Sequence, residues 1–130
     1  MTRPGSPAAL ADQAAEAIRT LNHATMPWAG ELTEPADVYA VLGSLATLAA
    51  RLPQVLSQLQ VFLAREQAAG RVQIVDGQHA GDPAAAVTDL GHALSCAAGR
   101  AEALHHALKQ AHATVTWAAR TDTSDTAAED

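Results

Sequence analysis

The chain has 130 residues, and 48% of them are apolar, which is enough for one domain with its own core. Aromatic residues make up only 3%, so that core must consist of Leu, Val and Ala, which suit close helix contacts better than a ligand pocket. The net charge is −6, and the eight Lys and Arg residues are scattered, which argues against binding to nucleic acid or to an anionic membrane.

Two further features bear on the compartment. Cys96 is the only cysteine, so it cannot form an internal disulfide, and a reducing, cytoplasmic location is expected. Residues 1–7 contain no apolar stretch of the kind that secretory signals require. Residues 38–64 are apolar, but Pro53 and several Ser and Gln residues interrupt them, so no membrane span is predicted.

The first predicted helix covers residues 7–24, after a start at 1–5 that is predicted to be disordered. Ser6 followed by Pro7 is typical of an N-cap and the first helical position. Pro27 ends the helix, because the residue before a proline avoids helical backbone angles. An apolar stripe runs along it at intervals of four and three residues: Leu10, Ala14, Ala17, Leu21 and Ala24.

The second predicted helix covers 34–69, with Thr33 as its cap and Gly70 just beyond its end. Its first apolar row alternates by four and three: Val38, Leu42, Leu45, Ala49, Leu52, Leu56, Leu59 and Leu63. This 3.5-residue repeat is typical of helices that wrap in a left-handed supercoil. A second row lies beside the first: Val41, Leu48, Val55 and Phe62. Pro53 predicts a kink midway.

The third predicted helix covers 83–120 and begins with Asp82-Pro83, after a connection whose Asp76-Gly77 signals a turn. Its apolar row also alternates by three and four: Val87, Leu90, Leu94, Ala97, Ala101, Leu104, Leu108, Ala111, Val115 and Ala118. Residues 121–130 are short, polar and acidic, and are predicted to form a disordered tail.

These patterns predict an all-α fold, a single domain over 6–120, in which the second and third helices form a long antiparallel hairpin. The shorter first helix covers only about half of the hairpin, so part of the second apolar row should stay uncovered within one chain. A monomeric three-helix bundle and a homodimer with a four-helix core both fit, and the dimer is favoured. The candidate interface residues are Trp28, Val41, Leu48, Val55, Phe62 and Trp117.

No set of residues predicts catalysis, a cofactor or a metal. Glu102 and His105 have the Glu-x-x-His spacing of di-iron bundles, but no second pair exists, and both are expected just outside the core stripe on a solvated face. His105 and His112 share one flank of the helix seven residues apart. A pH-sensitive contact is one interpretation of this pair, because histidine titrates near neutrality, and an ordinary polar surface is the favoured one.

The tripeptide Trp28-Ala29-Gly30 resembles the Trp-x-Gly turn of the small, Ala-rich, dimeric helical-hairpin proteins exported by type VII secretion. That resemblance implies export and a paired partner. Here, however, the tripeptide joins a short helix to a long one, and the long hairpin turns at 71–81. In composition the chain also resembles uncharacterised small Ala-rich helical proteins of high-GC bacteria, a resemblance that implies no activity.

The sequence therefore favours a non-enzymatic helical interaction or assembly module. It is expected to self-associate in the cytoplasm, as an accessory or regulatory protein that also meets a protein partner not identifiable from the residues. The two alternatives are the exported Trp-x-Gly type of protein and a metal-dependent helical-bundle enzyme that uses Glu102 and His105.

Overall fold

The structure is a computed structural model that describes the backbone of residues 3–128 and the side chains of residues 3–116. Three α-helices occur in that part of the chain: α1 (Pro7–Ala24), α2 (Pro35–Ala68) and α3 (Pro83–Ala128). A short 3-10 turn, Pro27–Ala29, lies between α1 and α2. α2 and α3 pack together as a long antiparallel hairpin, and residues 3–128 contain no strand, so the predicted all-α hairpin is confirmed.

Side-chain caps fix the starts of α1 and α3 where the sequence predicted them. The Ser6 hydroxyl accepts a hydrogen bond from the Ala9 N–H at 3.2 Å, and the Asp82 carboxylate accepts one from the Ala85 N–H at 3.2 Å. Each bond satisfies an amide that has no partner within the helix. Gly70, with a φ of 76°, follows the end of α2 in the left-handed conformation typical of a helix stop.

The cap of α2 differs from the prediction by one residue. Glu34, not Thr33, is the N-cap, and it forms a capping box with Asp37. The reason is that Pro35 takes the first helical position, which leaves Glu34 as the flanking residue. The Asp37 carboxylate accepts hydrogen bonds from Thr33 N–H at 2.8 Å, Glu34 N–H at 3.2 Å and the Thr33 hydroxyl at 3.0 Å. These bonds, Thr33 N–H first, hold the pKa of Asp37 below its ordinary value.

The middle of α2 and the end of α3 bear on the predicted kink at Pro53 and on the predicted end of the third helix. α2 continues through Pro53 as one helix, so Pro53 does not divide it into two segments. α3 continues to Ala128, beyond the predicted end at Arg120, and the disorder predicted for residues 121–130 stays a prediction. No Gly or Pro occurs after Arg120, so the sequence contains no residue that stops a helix there. Residues 129 and 130 lie outside the described part.

The contact between α2 and α3, which we call the hairpin seam, follows one heptad stripe on each helix. Every one of its members is buried or half-buried. On α2 the seam consists of Leu42, Ala46, Ala49, Pro53, Leu56, Gln60 and Leu63. On α3 it consists of Val87, Gly91, Leu94, Ala98, Ala101, His105, Leu108, His112 and Val115.

The core of the hairpin is displaced from the predicted stripe toward smaller residues. On α2 the seam contains Ala46, Pro53 and Gln60, while the predicted Leu45 and Leu52 are half-buried beside it and Leu59 is exposed. On α3 it contains Gly91, Ala98, His105 and His112, while the predicted Leu90 and Ala111 are half-buried beside it and Ala97 and Leu104 are exposed. The physical reason is close approach, because small side chains let two helix backbones come near each other. The most buried apolar residues of the described part are accordingly alanines: Ala46, Ala49 and Ala101.

The helix α1 does not complete a bundle. Its described residues include none that is fully buried, and Leu10 is 55% exposed. Only the last turns approach the hairpin, where Leu21 lines a small depression with Val41 and Leu45 of α2. Because α1 covers only this end, the three-helix bundle is not the arrangement of the described residues, and most of the hairpin has no third layer.

Candidate protein interaction surface

A second apolar stripe on each long helix lies immediately beside the seam, and together these stripes are called the outer face. On α2 it consists of Val41, Leu45, Leu48, Leu52, Val55, Leu59 and Phe62. On α3 it consists of Leu90, Ala93, Ala97, Arg100, Leu104, Ala107 and Ala111. Both sets alternate by four and three residues, as the seam does.

Helix geometry places both stripes on the same side of the hairpin. Each outer residue directly precedes a seam residue, as Leu48 precedes Ala49 and Leu104 precedes His105. On both helices the outer stripe is therefore rotated from the seam by about 100° about the helix axis, in the same sense relative to the chain direction. Because α2 and α3 are antiparallel, equal rotations along each chain direction bring the two stripes to one side. The outer face is therefore a single broad surface, two helices wide.

Most of this surface is open to solvent. Leu48, Val55 and Phe62 are 37%, 44% and 61% exposed, and Leu59 and Leu104 are each 49% exposed. Val41 is half-buried beside Leu21. The four residues that the sequence proposed as interface candidates on α2 thus lie along one line of the outer face, and their role in an interface stays a prediction.

Of the two tryptophans proposed as interface candidates, the structure describes the side chain of Trp28. Trp28, in the 3-10 turn, is 72% exposed, so it does not cap the core within this chain and remains available for an interface. The side chain of Trp117 lies outside the described residues. The turn that contains Trp28 joins α1 to α2, and its Gly30 has the left-handed φ of 68°.

Charge is nearly absent from the outer face. Its α2 stripe has no ionisable residue, and its α3 stripe has one, Arg100. Arg51 borders the α2 stripe, where it lines a groove with Leu48 and Val55. The other side of the hairpin is mainly polar, with exposed Thr47, Gln54, Ser57, Glu102 and Lys109, and it also contains the exposed Val61. The hairpin is therefore amphipathic across its width, with one apolar and one polar broad side.

His105 and His112 of α3 lie in the seam rather than on a solvated flank, which corrects the favoured interpretation of this pair. The His105 Nδ1–H donates to the carbonyl oxygen of Ala46 at 2.8 Å. The His112 ring stacks on Tyr39, with ring centroids 3.9 Å apart and planes 24° from parallel. Gly43 leaves room for that ring, because a Cβ at this position would lie 3.2 Å from His112 Nε2.

The Glu-x-x-His hypothesis gains no support from this geometry. Glu102 is exposed on the polar side, while His105 is turned into the seam and bound to Ala46. Among the described residues, no group of three or more His, Cys, Asp or Glu side chains is placed to hold a metal ion. A depression of about 750 Å³ is an open groove along α2 between Tyr39 and Val55.

The helix α2 also meets the length and composition of a membrane-crossing helix, with a mean hydropathy of 1.2 in its most apolar window. Buried core helices of soluble proteins and signal sequences have the same composition, so this property alone is weak evidence, and only 11% of that window is buried within this chain. The exposed Gln54, Ser57 and Gln58 on α2 would each face lipid unpaired in an isolated span.

Sequence reasoning noted Gly91 as a small residue suited to close helix contact but missed Gly43. Gly43 and Gly91 each admit a large side chain from the opposite helix, His112 and Gln60 respectively. A glycine within a helical heptad pattern was the available signal, because glycine there is unfavourable unless close packing requires it.

Comparison of the chain with protein families, with curated proteins and with solved structures finds no match.

Proposed function

We propose that this protein is a non-enzymatic, cytoplasmic interaction module that self-associates through the outer face of its hairpin. The observation that carries the proposal is the exposed part of the outer face, a broad apolar surface that extends from Leu48 to Phe62 on α2 and includes Leu104 of α3. Exposed apolar surface of this extent in a chain that must stay soluble marks a contact site.

The exposed area of the chain supports the same proposal. A compact monomer of 13.4 kDa would expose about 6,500 Å², whereas this chain exposes 9681 Å². The excess is about 3,200 Å², and both the outer face and α1, which has no fully buried residue, contribute to it. A standard interface buries roughly 800 Å² on each partner. A second copy that covers the outer face would therefore bring the exposed area closer to that of an ordinary globular protein.

The interior of the hairpin supports it as well. The fully buried apolar residues of the described part are Ala46, Ala49 and Ala101, and no ion pair joins α2 to α3 within that part. Burial of a whole Leu or Val contributes about 1.5–3 kcal/mol, so the half-exposed leucines contribute only part of their capacity in one chain. Association would complete their burial, which makes self-association a source of stability for the fold.

Sedimentation equilibrium at tens of micromolar tests the proposal. We expect the wild type to have twice the 13.4 kDa chain mass. Leu48→Glu puts a carboxylate on the outer face and should weaken association at least about tenfold, since desolvating a charge is costly. Gln54→Glu is the matched control, because it adds the same charge to the same helix on the polar side and should leave the dimer intact.

Two results would overturn the proposal: a monomeric wild type at that concentration, or equal weakening by both variants. Circular dichroism of each variant checks that the helices remain formed. Sedimentation with neutral phosphatidylcholine vesicles separates self-association from insertion of the outer face into lipid, since a monomer that pellets with vesicles contradicts the proposal.

A further inference from the structure

We infer that the second copy docks with both hairpin turns at the same end, so that the large α2 stripe of each chain packs on the small α3 stripe of the other. This inference rests on the proposed self-association and goes beyond it by fixing the orientation of the partner. The outer face is occupied by a second copy of this chain. The evidence for its orientation is that the side chains of the α2 stripe are larger than those of the α3 stripe.

The two stripes of the outer face differ in bulk. The α2 stripe consists of leucines, valines and a phenylalanine without exception, whereas four of the seven α3 positions are alanine: Ala93, Ala97, Ala107 and Ala111. Large residues on one surface interdigitate best with small residues on the facing one, because this combination fills the space without voids or overlap. The α2 stripe of one copy therefore fits α3 of the other better than it fits another α2.

Only one of the two twofold arrangements provides this fit. When the twofold axis runs along the helices, α2 of each copy lies over α3 of the other, and the two turns at 69–82 share one end. When the axis runs across the helices, α2 lies over α2 and α3 lies over α3, with the turns at opposite ends. The second arrangement places leucine on leucine and leaves the alanine stripes facing each other across a gap.

Arg100 favours the same arrangement. It is the one charged residue of the outer face and lies near the middle of the α3 stripe. If the faces overlapped fully with α3 over α3, the two Arg100 side chains would meet at the twofold axis, where like charges repel. With α2 over α3, each Arg100 faces the uncharged α2 stripe, and its long side chain can reach solvent at the edge.

Distances between spin labels test the orientation. In a Cys96→Ser background, single cysteines replace Val75, which is 87% exposed in the turn after α2, or Glu31, which is exposed before α2. Pulsed electron–electron double resonance then measures the distance between the label on one copy and the same label on the other. α2 is about 50 Å long, so labels at the same end and labels at opposite ends give clearly different distances.

We expect a short distance, below about 30 Å at both sites, given a spacing of roughly 10 Å between neighbouring helices. Long distances of about 50 Å at both sites, the length of α2, would overturn the same-end orientation and leave self-association standing. Absence of any coupling between labels, together with a monomeric mass for the labelled protein, would overturn the inference and the proposed function together. Sedimentation of each labelled variant beside the wild type shows whether the label itself alters the assembly.

Discussion

The side chain of His105 ties α3 to α2 by donating its Nδ1–H to the backbone carbonyl of Ala46, 2.8 Å away. It is the one side-chain hydrogen bond that crosses from α3 to α2 in the part of the chain that the structure describes. The Ala46 carbonyl lies in the most closely packed region of the seam, beside the fully buried Ala49. A polar ring is accommodated there because its donor is satisfied.

Removal of this hydrogen bond should destabilise the hairpin. His105→Ala is expected to lower the free energy of unfolding by about 1 kcal/mol relative to His92→Ala. His92 is an exposed histidine of the same helix, so this control carries the same gain in helix propensity. Urea denaturation followed by circular dichroism measures both variants at one protein concentration. Equal stabilities of the two variants would show that the bond to Ala46 contributes nothing.

The glycines of the two long helices should respond differently to alanine. No atom of a neighbouring element lies within 4 Å of the position that a Cβ at residue 99 would take, so Gly99→Ala should stabilise the protein by about 0.5–1 kcal/mol. Gly43→Ala gains the same helix propensity, but its Cβ would lie 3.2 Å from His112 Nε2, so the ring must shift by a few tenths of an ångström within its stack on Tyr39. Thermal denaturation should therefore rank Gly99→Ala above Gly43→Ala, and the reverse order would contradict the seam geometry.

The capping box of α2 predicts a dependence on pH. Because the folded-state pKa of Asp37 lies below the ordinary 3.8, its carboxylate stabilises the fold fully above pH 3.8. That stabilisation is lost as the pH falls through the lowered folded-state value. Asp37→Asn should thus lower the melting temperature at neutral pH, and the difference from wild type should close in the acidic range below 3.8.

A matched variant separates this effect from the loss of a charge alone. Asp12→Asn changes a carboxylate of α1 that accepts no hydrogen bond from the described residues. Its melting temperature at neutral pH should stay closer to that of the wild type. A difference between Asp37→Asn and wild type that persists unchanged at low pH would contradict the capping role.

The sequence predicted the helices well because their signals are local. Ser6-Pro7 and Asp82-Pro83 cap their helices through hydrogen bonds within three residues, and Gly70 follows the end of α2. Such contacts depend only on neighbouring residues, so the pattern of the chain contains the necessary information. The end of α3 was missed since polarity and charge do not stop a helix where Gly and Pro are absent.

The face of each helix that meets its partner could not be predicted as well. Leu42, Ala49, Leu56 and Leu63 belong to two overlapping stripes, one completed by leucines and the other by Ala46, Pro53 and Gln60. Both stripes alternate perfectly by three and four, so periodicity cannot choose between them. The choice depends on which side chains the opposite helix can accept, and that is a property of the pair. For the same reason, the sequence identified the surface candidates on α2 but placed His105 and His112 outside the seam.

The pairing of two large side chains with two glycines also sets how far the helices can slide. A seven-residue repeat by itself permits α3 to shift along α2 by one heptad with every apolar contact replaced by a similar one. The shifted partners would be Ala36 or Ala50 for His112, and Ala84 or Ala98 for Gln60. Each of these alanines carries a Cβ where Gly43 and Gly91 have none, so His112 and Gln60 fit best in the observed register. The two glycines therefore favour this register over those one heptad away.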